Sequence, residues 1–213
     1  MAISVLWGVG CVVGGVIAAV ITELVVWWKS QKMLLLGMSG AGKTTFCNAL
    51  YAIQEKNKNW KAGIYSNTLE QEKHKYDSTF HFIDTAGIET YKKLWDNTIE
   101  IENPDLILYF YDVSRLGEIM TLNNEFKCYY YKNMAADLRL LGTLCEKYKK
   151  KLLLVGTHTD ANYDSHKANQ YLADVFSHLG NCEYRSVDGS LADYKSAVSL
   201  FTEIKEKAES MKI

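Results

Sequence analysis

The sequence predicts an α/β fold: a mostly parallel central sheet with helices on both faces, preceded by one transmembrane helix. Three observations predict it. The first 22 residues carry no charged side chain. Beyond Lys29, strand-length apolar runs alternate with amphipathic helical stretches. Several of those runs are apolar throughout, as in parallel strands covered on both faces. The composition is that of an ordered chain. Of 213 residues 48% are hydrophobic, the net charge is −1, and there is a single proline. This excludes a disordered or Pro/Gly-rich protein. It also argues against a general polyanion binder, so no nucleic acid partner is evident.

The first element is the membrane helix. Twenty-two residues at about 1.5 Å each cover roughly 33 Å, enough for a hydrocarbon core of about 30 Å. Trp7 at one end and Trp27 and Trp28 at the other stand where interfacial aromatics belong. Glu23 is close enough to the boundary to reach headgroups. Lys29 and Lys32 flank the C-terminal side, which the positive-inside rule places in the cytoplasm. Gly10, Gly14 and Ala18, with Cys11, Gly15 and Ala19, form a small-residue ridge that suits pairing into a homodimer.

Met33–Leu36 then reads as a buried strand, followed by a helix through Phe46, Leu50 and Ile53. Residues 54–67 read as irregular and 71–76 as an edge strand. Thr79–Ile83, Leu106–Tyr111, Leu152–Val155 and Glu183–Ser186 read as strands. Glu89–Ile101, Leu122–Lys150 and His166–Leu179 read as helices. A last helix carries Ala197, Leu200, Phe201, Ile204 and Ala208 at spacings of three and four. The five cysteines show no CxxC pair and no metal spacing, as for reduced thiols in a cytoplasmic domain.

Three motifs carry chemistry. Gly37 to Thr44 reads GMSGAGKT, the pattern G-x-x-x-x-G-K-[ST], directly between a strand and a helix. Glycines let backbone N–H groups turn inward around an anion, and the helix N-terminus adds partial positive charge. Lys43 would reach the β- and γ-phosphates and the Thr44 hydroxyl would ligate Mg²⁺. Asp84-Thr-Ala-Gly87 ends the next predicted strand. There Asp84 can hold Mg²⁺ through water and Gly87 can offer its N–H to a γ-phosphate. Thr157-His-Thr-Asp160 follows a later strand. A carboxylate there can accept from guanine N1–H and the exocyclic amine together, a pair that adenine lacks.

In this order and strand context, the motifs resemble those of the small P-loop GTPases of the Ras-like and Era-like superfamily, over about Lys32 to Lys212. The N-terminal run then reads as a transmembrane anchor over residues 1–28, and the resemblance implies a GTP-binding G domain over 29–213. It implies that Gly40, Ala41, Gly42, Lys43, Thr44 and Thr45 wrap the phosphates. By the same carry-over Asp84 and Gly87 sense the γ-phosphate, and Thr157, His158 and Asp160 form the base loop. Ser186 and Val187 resemble the short Ser-Ala-Lys motif that contacts guanine through its backbone. Thr68, with Ser66 behind it, is the candidate for the switch-one threonine, so Thr44, Thr68 and Asp84 make up the implied Mg²⁺ set.

Two departures bear on activity. His158 stands where the family carries a lysine over the base. Ile88 stands where Ras-like members carry the glutamine that orients water, so catalytic groups beyond Lys43 are not assigned. The sequence thus leads to a membrane-anchored small GTPase. It would act as a nucleotide-dependent switch, with GTP or GDP and Mg²⁺ bound, slow intrinsic hydrolysis and an unknown protein effector or activator. The order of anchor and domain also resembles that of signal recognition particle receptor beta subunits. The alternatives are a GTP-dependent assembly protein that dimerises, and a docking or receptor subunit with little turnover.

Overall fold

The computed structural model describes residues 21–63, 75–76, 80–84, 94–117 and 124–211. Among them, six strands build one sheet: β1 (Lys32–Gly37), β2 (Lys75–Tyr76), β3 (Phe80–Asp84), β4 (Leu106–Asp112), β5 (Lys151–Thr157) and β6 (Tyr184–Asp188). Their order is β2-β3-β1-β4-β5-β6. Only β2 runs antiparallel to its neighbour; β3, β1, β4, β5 and β6 are mutually parallel. The helices are α1 (residues 21–30), α2 (Lys43–Gln54), α3 (Trp95–Glu102), α4 (Val113–Gly117), α5 (Asn124–Tyr148), α6 (Ser165–Phe176) and α7 (Tyr194–Ser210).

The apolar runs explain the sheet. Every residue of β4 is buried, as are all but the first of β1 and of β5. Such strands need cover on both faces, and crossover helices supply it. In register, Leu34 faces Ile83 on one side and Ile107 on the other. The carboxyl ends Gly37, Asp84, Asp112, Thr157 and Asp188 therefore share one edge of the sheet. The expected strands are present, and most run one or two residues further than the apolar runs. The turn Ser177–Leu179 is 3₁₀ and separate from α6.

The α6 and α7 N-termini are capped by Asp164, which accepts from the Lys167 N–H, and by Asp193, which accepts from the Ser196 N–H. These bonds hold both carboxyls below the usual carboxylate range.

The start of the chain departs from expectation. Among the described residues no helix is long and apolar enough to cross a membrane. Residues 1–20, most of the expected span, lie outside them. Residues 21–30, instead of ending in a lipid boundary, pack on α2 and α7. Trp28, expected at the membrane interface, is fully buried, edge-on to Phe46 (5.4 Å) and Phe201 (5.2 Å). Phe46 in turn meets Phe110 of β4 at 5.0 Å. Glu23 is paired with Lys205 of α7 rather than with headgroups. The contacts run from Lys205 back to Phe201 as α1 advances from Glu23 to Trp28, so α1 is antiparallel to α7. Its first residues thus lie toward the C-terminal end of α7, at the amino edge of the strands.

Two outcomes test this packing. Trp28→Ala lowers unfolding stability by about 3–5 kcal/mol, whereas Trp28→Phe, which keeps an aromatic ring, costs less than about 1.5 kcal/mol; chemical denaturation of the full chain reads both. Asp193→Ala removes a contribution that is complete above the unfolded-state pKa of about 3.9 and is lost as pH falls through the lower folded value. The acid limb of the stability curve is therefore shallower in the variant.

Candidate nucleotide site

The N-terminus of α2 is left open to a ligand. Its N-cap, Gly42, has no side-chain cap bond, and the first turn holds no acid. The first N–H groups of a helix have no intrahelical partner and carry partial positive charge. At α6 and α7 an aspartate meets this need. The first turn of α2 carries no acidic residue, and the glycine-rich turn GMSGAGKT leads into it. Gly40 and Gly42 adopt the left-handed conformation (φ 76° and 86°) that an anion nest requires. Gly37 starts the turn at φ 126°, where a Cβ would lie 2.1 Å from the Phe110 carbonyl oxygen. Only glycine fits there.

Lys43 is buried at the centre of this turn. Its ammonium donates to the carbonyls of Gly37 (3.0 Å) and Met38 (3.1 Å). A buried cation at a glycine-rich helix N-terminus suits a polyphosphate. Thr44 and Thr45 follow in the first turn of α2. Asp84 ends β3, level with Leu35 of β1, so it shares the sheet edge with the turn. The buried Lys43 ammonium and the glycine turn fit a phosphate group. Gly87, Ile88 and Thr68 lie outside the described residues.

Beside the turn a cleft of about 310 Å³ is lined by Gly42, Thr45, Thr157, His158, Asp160 and Leu191, among others. The buried Thr157 links the two halves. Its hydroxyl lies 3.1 Å from the Ala41 carbonyl and 3.2 Å from that of Tyr111. His158 is left-handed (φ 63°), with Nδ1 2.8 Å from the Thr157 hydroxyl. Asp160 lies at the rim, and one of its carboxylate oxygens accepts from Ser190 Oγ at 2.6 Å. Ser190 Oγ also accepts from the Ala192 N–H.

Ser186 and Val187 lie in β6, paired with Leu154 and Val155. The strand runs on to Asp188, so the chain turns toward the cleft only afterwards. Leu191 and Ala192 line it, and Ser190 braces Asp160. The signal in the sequence is the Gly189-Ser190 turn just before the Asp193 cap. A second link was not expected from motifs. Residues 60–62 pair with 192–194 through Ala62 N–H to the Ala192 carbonyl, Tyr194 N–H to the Trp60 carbonyl, and a Lys61–Asp193 bridge. This brings Ala62 and Gly63 to the cleft wall.

An open helix N-terminus wrapped by a glycine-rich turn, next to an acid-rimmed cleft on a parallel sheet's carboxyl edge, defines a P-loop GTPase G domain. The family model for the 50S ribosome-binding GTPases matches residues 32–157. That is more than half of the chain, and the chain belongs to this family of GTP-binding GTPases. No curated protein matches it.

Asp160 is the expected reader of the base. Asp160→Asn replaces an acceptor by a donor, so guanine nucleotide affinity falls at least about 100-fold while xanthine nucleotides, with an oxygen in place of the amine, gain. Competition binding with GDP and XDP reads the exchange.

Proposed function

We propose that this chain is a membrane-anchored small GTPase that works as a slow nucleotide switch. The observation that carries the reading is the α2 N-terminus, uncapped and free of acid in its first turn, beside a cleft rimmed by Asp160. The nest and Lys43 bind the phosphates, Thr44 and Asp84 hold Mg²⁺, and Asp160 selects guanine. Mg²⁺ supplies charge neutralisation on the β- and γ-oxygens. Gly87 and Thr68 belong to the two switch segments that a γ-phosphate orders and hydrolysis releases.

Slow turnover follows from chemistry at position 88. An isoleucine has no group with which to orient water, so acceleration has to come from a partner protein or a second protomer. The anchor rests on the uncharged residues 1–20, about 30 Å of helix. They precede α1, whose first residues lie at the amino edge of the strands. The nucleotide edge then faces away from the bilayer, toward the cytoplasm, where an effector can read it. This arrangement supports the likeness to signal recognition particle receptor beta subunits.

With purified full-length protein in detergent, single-turnover GTP hydrolysis is slower than about 10⁻² s⁻¹, the scale of unassisted G domains. Rapid turnover independent of protein concentration contradicts the slow-switch reading. In membranes from expressing cells the chain resists alkaline extraction, and removal of residues 1–20 releases it. Full release of the intact chain contradicts the anchor.

A further inference from the structure

Outside the sequence motifs, one buried carboxylate lies between the two halves of the nucleotide site. Asp112 ends β4 and is 5% exposed. Its Oδ1 accepts from the Ser114 N–H (3.0 Å) and hydroxyl (2.6 Å), which fixes the orientation of the carboxylate. Its Oδ2 lies near two nitrogen groups, the Arg115 guanidinium and the His158 imidazole. Arg115 Nε is 3.3 Å away and His158 Nδ1 is 3.7 Å away. The Asp112 N–H donates to the buried Tyr130 hydroxyl (2.7 Å), and the Arg115 guanidinium stands 5.7 Å over the Tyr130 ring.

Arg115 also touches the phosphate loop. A Cβ on Gly40 would lie 3.3 Å from its Nη2, so the guanidinium stands beside the loop at Gly40. The phosphate loop, through Arg115, and the base loop, through His158, therefore converge on one carboxylate oxygen. Fixing both loops before binding lowers the ordering cost that nucleotide affinity must overcome. It also holds a cation beside an anion-binding turn in a chain whose base loop has a histidine in place of the family's lysine.

We propose that Asp112 and Arg115 are positioning residues for guanine nucleotides: the carboxylate holds the guanidinium against the phosphate loop at Gly40 and His158 at the base cleft. This rests on the reading of the cleft as the GTP site.

The test measures dissociation of a fluorescent GDP analogue, and steady-state GTP hydrolysis, with the full-length chain. Arg115→Ala and Asp112→Asn each raise the GDP dissociation rate about tenfold. KM for GTP rises by a similar factor, while kcat falls less than about threefold. Arg115→Lys, which keeps the charge but not the planar fork, recovers part of the loss. Arg115→Gln serves in place of Arg115→Ala should that variant fail to fold. A lower melting temperature with unchanged GDP dissociation and KM would mean a purely structural cluster and would overturn the proposal. Wild-type protein that bound no GDP would overturn the site reading and this inference together; wild-type binding with unaltered variants overturns this inference alone.

Discussion

The open N-terminus of α2 is the constraint around which the nucleotide site is arranged. Its N-cap is Gly42, which has no side chain to cap it, and its first turn carries no acidic residue. A helix start of this kind presents partial positive charge to an anion. Each neighbouring feature serves that end. β1 delivers the chain to the sheet edge. Gly37 passes under the Phe110 backbone, Gly40 and Gly42 turn the N–H groups inward, and Lys43 adds a buried charge. Thr157 then brings the base loop against Ala41, so phosphate and base recognition share one frame.

The sheet explains why these parts meet. All five parallel strands present their carboxyl ends at one edge, where crossover connections leave a crevice. Motifs more than a hundred residues apart in the chain, at Gly42 and at Thr157, thereby line a single cleft. The opposite edge receives α1. Trp28 packs edge-on to both Phe46 and Phe201, which also meet each other, and Glu23 pairs with Lys205. The helix that leads from the apolar N-terminal segment is thus packed into the domain rather than joined to it by a free linker.

Much of this was legible in the sequence because the signals are local. A buried parallel strand writes itself as an unbroken apolar run, and the phosphate turn needs glycines at fixed offsets. Asp160, the expected reader of the base, follows such a run by a few residues. What the sequence does not show depends on register and on contacts between distant residues. A strand's end cannot be read from its apolar stretch alone: β6 continues past Ser186 and Val187 to Asp188. Asp112 and Arg115 belong to no motif; only the fold brings them between the two loops. Trp28 was misplaced for a different reason. A tryptophan at the end of an apolar segment suits a lipid interface and a protein core equally well, and only the partners Phe46 and Phe201 decide between them.

The account is tested most directly by calorimetric titration of the full-length chain with GDP and with ADP, both in the presence of Mg²⁺. The uncapped α2 N-terminus, Lys43 and Asp160 together predict 1:1 binding of GDP, at least about 100-fold tighter than ADP. Equal affinity for the two nucleotides, or binding of neither, would contradict it.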